Sequence, residues 1–90
     1  MKILKETIRI KFNQLTKRQQ IVALFVSENA EKVAFYTAKE LGEITDTSES
    51  TVIRFSYNLG FSGYSDLQKH IQQTILDVKH NEPLVKYRHS

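Results

Sequence analysis

The chain has no cysteine, a single proline and only three glycines. Without cysteine there is neither a disulfide nor a thiolate zinc site, and the composition fits a reducing compartment. No apolar run approaches the roughly 18 residues needed to span a bilayer. Charges run through MKILKETIRIKF, where a signal peptide needs an unbroken apolar stretch. The expected location is therefore the cytoplasm. Strand-like alternation does not persist anywhere, and glycine-rich phosphate loops are absent. Enzyme chemistry also lacks its parts. Glu40 is explained by a capping role, Asp66 by a solvated first helical turn, and no nucleophile has a base and an orienting group beside it. His70 falls near an apolar stripe, while His80 and His89 have no ligand spacing around them. No catalytic residue, metal or cofactor is assigned.

What is present is apolar mass. Five Phe, four Tyr and many Ile, Leu and Val in 90 residues are enough for one compact helical domain. The net charge of +3 is unevenly placed. Lys2, Lys5, Arg9 and Lys11 against Glu6 make residues 1–12 basic, and Lys79, Lys86 and Arg88 against Glu82 make residues 79–90 basic. Residues 13–78 hold six basic and eight acidic side chains, so the central body is slightly acidic. Bulk charge does not argue for a polyanionic partner, and any such argument rests on local placement.

The spacing predicts five helices and an all-α fold. The first covers about residues 2–13, with Leu4, Ile8 and Phe12 on one stripe. Thr16 and Gln19 have capping-box spacing and open the second, which runs to about Asn29 with Ile21, Val22, Leu24, Phe25 and Val26 as a broad core face. In the connector AEKVAFY, Val33 and Phe35 are expected to plug the core. Thr37 and Glu40 open a third, short helix through about Ile44 with Leu41 inward. A three-residue turn, TDT, follows, in which Asp46 is a plausible left-handed residue. Ser48 caps the fourth helix, Glu49 suits the dipole of its first turn, and Val52, Phe55 and Leu59 share its inner side. Gly60 stops it, letting Phe61 fold back on Phe55. Ser65 and Gln68 cap the fifth, with Leu67, Ile71, Ile75 and Val78 on one stripe. Residues 1–78 read as one domain and residues 79–90, without periodicity, as a tail or linker.

Helix, three-residue turn, helix, with Leu41, Val52 and Phe55 inward, is the helix-turn-helix pattern. With Val52 toward the core, Ser50, Arg54 and Tyr57 face away from it, flanked by Thr51 and Asn58 on one side and Glu49 and Ile53 on the other. Short hydroxyls, an amide and an arginine permit close approach to a groove and hydrogen bonds to base edges and phosphates. Arg54 matches the O6/N7 edge of guanine. Ser48 suits a phosphate at the helix N-terminus as well as the cap, and Thr37 with Lys39 beside it is a second phosphate position. Tyr57 divides between contact and packing, Tyr64 is expected to pack, and Ile53 either meets a thymine methyl or packs. The same geometry also serves helical modules that bind only proteins, so that alternative stands beside DNA binding.

The strings TAKELGEITDTSESTVIRF (37–55) and LGFSGYSDLQ (59–68) resemble the N-terminal domain of the RpiR family of bacterial transcription regulators, and LTKRQQIVALFVSEN (15–29) resembles its first core helix. The family pattern, Ser-x-x-Thr-Val-x-Arg-Phe followed by Leu-Gly-Phe-x-Gly-aromatic, falls here on Ser48, Thr51, Val52, Arg54, Phe55, Leu59, Gly60, Phe61, Gly63 and Tyr64. The family often has alanine where Gly42 stands and glycine where Asp46 stands; Gly42 is expected to loosen its helix by about 1 kcal/mol. The resemblance implies a homeodomain-like helix-turn-helix domain that binds double-stranded DNA in a regulator of sugar metabolism. It also implies that a phosphosugar effector acts only through a sugar-isomerase-like domain that this chain does not contain, which makes an excised domain the favoured reading. A homodimer is expected, with the first-helix stripe contributing to it and two recognition helices about 34 Å apart.

Overall fold

The computed structural model describes residues 2–80, with side chains over residues 4–76. Its elements are α1 (Lys2–Lys11), a 3-10 turn (Phe12–Gln14), α2 (Lys17–Glu28), α3 (Ala30–Val33), α4 (Ala38–Ile44), α5 (Glu49–Asn58) and α6 (Tyr64–His80). There are thus six α-helices rather than five, and no strand among the described residues. The additional helix is α3, a single turn inside the connector whose inward residue is Val33, fully buried.

The core gathers one stripe from each helix. Leu4 and Ile8 of α1, Val22 and Val26 of α2, Leu41 of α4, Val52 and Phe55 of α5, and Leu67 and Ile71 of α6 are all buried in it. Leu4 and Ile8 of the α1 stripe therefore pack into the domain's own core, with Phe12 partly buried against it, where the sequence suggested that the stripe contributes to a dimer. Two further expectations fail. Phe35 does not plug the core but stands 82% exposed, and the apolar face of α2 is narrower than its sequence implies, because Ile21 and Leu24 face outward. A four-residue helix turns each side chain by about 100°, so Val33 and Phe35 cannot share a direction as they would in an extended connector.

Helix ends follow local chemistry. Thr16 with Gln19 and Thr37 with Glu40 form complete capping boxes. At the end of α4, Thr47 N–H donates to Gly42 C=O (2.8 Å) and Asp46 N–H to Glu43 C=O (3.1 Å). At the end of α5, Phe61 N–H donates to Ser56 C=O (3.0 Å) and Gly60 N–H to Tyr57 C=O (2.9 Å). Both patterns are Schellman closures, which need a left-handed residue at the first position past the cap. Asp46 (φ 58°) and Gly60 (φ 102°) occupy it. Helix α6 starts at Tyr64, two residues before the Asp66 start that a Ser65 cap predicts. Asp66 Oδ2 reaches back to the Ser62 N–H (3.1 Å), so Ser65 is not the cap. Gln68 serves elsewhere, and the helix continues through His80, past the expected boundary at residue 78. The side chain of Val78 and residues 81–90 lie outside what the structure describes.

Candidate nucleic-acid interface

Helices α4 and α5 and the turn between them form the helix-turn-helix, and α5 rests on α4, α2 and α6. The turn is held by hydroxyls as well as by its Schellman closure. Thr45 Oγ1 donates to Leu41 C=O (2.8 Å) and lies 2.9 Å from Thr47 Oγ1. Gly42 lets the two helices meet. A Cβ there would stand 2.6 Å from Ser48 C and 2.8 Å from Glu49 N, closer than real Cβ contacts come. The glycine is thus required by the approach of α5 to α4, and the expectation that it merely loosens α4 is corrected.

Ser48 caps α5 as predicted. Its Oγ accepts from Thr51 N–H at 3.1 Å and lies 3.0 Å from Thr51 Oγ1, so the two hydroxyls form a pair at the helix start. Past it, Glu49, Ser50 and Arg54 are exposed, as is Tyr57, at 55%. Neither Ser50 nor Arg54 makes a side-chain hydrogen bond or ion pair among the described residues, where the only salt bridge is Arg9–Glu6. Asn58 is different. Its amide donates to Gln19 Oε1 at 2.8 Å, tying the end of α5 to the start of α2, so it supports the face from its edge.

Thr37 and Lys39 are exposed at the start of α4. The Thr37 hydroxyl accepts from Glu40 N–H at 3.0 Å and keeps its own proton free for an acceptor. Between this helix start, α5 and α6 lies a shallow groove of about 420 Å³, lined by Thr37, Ala38, Ile53, Tyr57, Tyr64 and Gln68 among others. Ile53 is half-buried at its wall. The start of α6 at Gly63 and Ser65 borders the same groove, a neighbour that the pattern of α5 alone does not reveal.

Helix α6 fixes this arrangement through side chains one turn apart. Tyr64 Oη donates to Tyr36 C=O (2.7 Å) and Gln68 Nε2 to the same carbonyl (2.6 Å), while Gln72 Nε2 donates to Ala34 C=O (2.8 Å). The clamp satisfies carbonyls of the α3–α4 connector that have no helical partner. Burial, with Glu40's charge adding to it, pushes the Tyr64 phenol up to about 12. His70 is half-buried with its ring against Phe61, centroids 5.3 Å apart, and no group of three or more metal-ligating side chains forms among the described residues.

Known proteins match this arrangement. The family model described as helix-turn-helix domain, rpiR family, matches residues 1–77. The chain is 31% identical over 75 residues to the HTH-type transcriptional regulator HexR of Pseudomonas aeruginosa, covering 83% of this chain and 26% of HexR. A solved structure of the Vibrio vulnificus NanR protein complexed with ManNAc-6P superposes with a TM-score of 0.73 at 35% identity, over 83% of this chain and 30% of that one. The chain thus spans under a third of the length of either relative. With the model matching nearly the whole described domain, the chain belongs to the rpiR family of helix-turn-helix domains, a family of DNA-binding transcription regulators.

Proposed function

We propose that this domain binds double-stranded DNA sequence-specifically, with α5 in the major groove, as part of a cytoplasmic regulator of sugar or phosphosugar metabolism. The observation that carries the reading is the outer face of α5. It is exposed, begins at an N-terminus capped by Ser48, and holds Arg54 and the Ser50 hydroxyl without structural duties among the described residues. In this reading Arg54 reads a guanine through two parallel hydrogen bonds. Ser48, Ser50, Thr51, Thr37 and Lys39 meet phosphates or base edges near two helix starts. Tyr57 lies against the backbone, with Glu49 and Asn58 at the margins. Two copies act on a two-fold site, and a phosphosugar effector acts through a further domain of a longer chain, as the ManNAc-6P complex of NanR supports.

The test is titration of the chain against duplexes selected from a random pool, with Arg54→Ala alongside. The substitution is expected to cost about 1–3 kcal/mol on the selected site and to relax preference at one position of each half-site, with an unchanged melting temperature. Uniform weakening on all sequences would assign Arg54 to phosphate. Absence of salt-sensitive duplex binding would favour a protein-interaction module instead.

A further inference from the structure

A groove of about 830 Å³ opens between the α3 region and the second half of α6, and no residue of α5 lines it. Its floor and walls include Ala34, Ile75 and Leu76, and Phe35 stands at its edge 82% exposed. Leu76 is 61% exposed in the same groove. Phe35 and Leu76 thus expose large apolar side chains together at one groove, where singly scattered ones would need no explanation. Glu31 and Lys32, adjacent on α3 and both exposed, line the same groove and have no ion-pair partner among the described residues.

We infer that this groove is the surface on which a second copy of the chain docks, through a two-fold contact that seats Phe35 of each copy in the groove of the other. Three features fit a copy better than an unrelated partner. A two-fold interface uses one patch twice, so the patch must carry both knob and hole, and Phe35 stands beside the groove it would fill. Its charges must also complement themselves, and Glu31 of one copy meets Lys32 of the other, twice, when α3 pairs with α3 in antiparallel fashion. The geometry is compatible with two-fold DNA as well: the groove is lined by no residue of α5, so a pair docked through it leaves both outer faces of α5 free for half-sites about 34 Å apart. Leu4 and Ile8 of the α1 stripe are already buried within the domain.

The two-fold spacing, though not the docking itself, rests on the DNA-binding reading. The patch is small beside the roughly 800 Å² per partner of a standard interface, so the isolated domain forms a weak dimer. Sedimentation equilibrium of the 90-residue chain without DNA, from about 10 μM to about 1 mM, is expected to show a monomer–dimer equilibrium. Phe35→Asp, at an exposed position, is expected to weaken it at least about tenfold at an unchanged melting temperature. Glu31→Lys is expected to weaken it about three- to tenfold, and Glu31→Lys combined with Lys32→Glu to restore it, which a merely disturbed fold would not do. A chain that stays monomeric at about 1 mM, or a dimer indifferent to both Phe35→Asp and the charge exchange, overturns the proposal. So does a dimer that forms only after residues 81–90 are removed, which would give the groove to that segment. Affinity for a duplex carrying one half-site should not change with Phe35→Asp. If dimerisation behaves as stated while no duplex is bound, the DNA reading fails and the docking surface stands.

Discussion

At Gly42 two effects oppose each other. Alanine would gain about 1 kcal/mol of helix propensity over glycine. Its Cβ, however, would meet the backbone of Ser48 and Glu49 below 3 Å, and backbone cannot swing aside as a side-chain end can. Overpacking of this kind costs about 1–3 kcal/mol, so Gly42→Ala is expected to lower the melting temperature rather than raise it. A rise would mean that α4 and α5 separate easily. Sequence alone favours the propensity argument, because the approach of the two helices is a fact of tertiary structure. Tyr64 gives a second residue-scale prediction. Below about pH 10 its phenol is protonated in folded and unfolded chains alike and contributes no pH dependence. Because burial raises its folded value to about 12, the unfolded chain ionises first between those values, and its contribution to stability falls as pH rises through that window. Tyr64→Phe is expected to cost about 1–2 kcal/mol at neutral pH, through the bonds lost at the Val33 and Tyr36 carbonyls. The gap between wild type and variant should then narrow above about pH 10, as chemical denaturation across pH would show.

Among the elements, those whose ends are set locally were legible. Both capping boxes, the left-handed Asp46, the stop at Gly60 and the Ser48 cap each depend on residues within about six positions, so spacing alone reveals them. What the chain concealed was set over long range. Gln68 has the spacing of a cap to Ser65 but bonds to Tyr36, 32 residues away. Helix α3 has one inward residue and therefore no period to detect. Whether the α1 stripe serves the chain's own core or another's is equally invisible to periodicity. Its burial changes what truncation should do. Leu4 and Ile8 are 1% and 4% exposed, and each buried side chain of this size contributes about 1.5–3 kcal/mol. Removing residues 1–12 is expected to cost much of the roughly 5–15 kcal/mol that holds a domain together, seen as a broadened or lost thermal transition. A well-folded truncated domain would show that α1 is an appendage.

For the molecule as a whole, the arithmetic of charge limits how hard it can grip DNA. The fold class and the helix-turn-helix were readable from sequence because apolar spacing dictates them, whereas the electrostatic footprint depends on where the cations end up. Arg54 is exposed on the outer face of α5 and Lys39 at the start of α4, on an otherwise slightly acidic body. Lys11 sits at the other end of that helix, its Nζ 3.8 Å from where a Cβ on Gly60 would stand, and favours the negative end of the α5 dipole. About two to four phosphates neutralised per domain would make affinity fall roughly 10- to 150-fold between 50 and 200 mM salt. Binding measured across that range checks it, and a much steeper fall would place the basic segment of α1 on the DNA as well.

The separation of duties on α5 also bears on how such a domain diversifies. Val52, Phe55 and Leu59 are buried and hold the helix in place, whereas Ser50 and Arg54 on the opposite side hold nothing among the described residues. Substitutions at exposed, unpartnered positions usually change stability by no more than about 0.5 kcal/mol. If α5 reads DNA as proposed, its outer face can drift to new operators one residue at a time without passing through an unfolded intermediate sequence. The side chains that set the shape and those proposed to set the target would then evolve as separate inheritances.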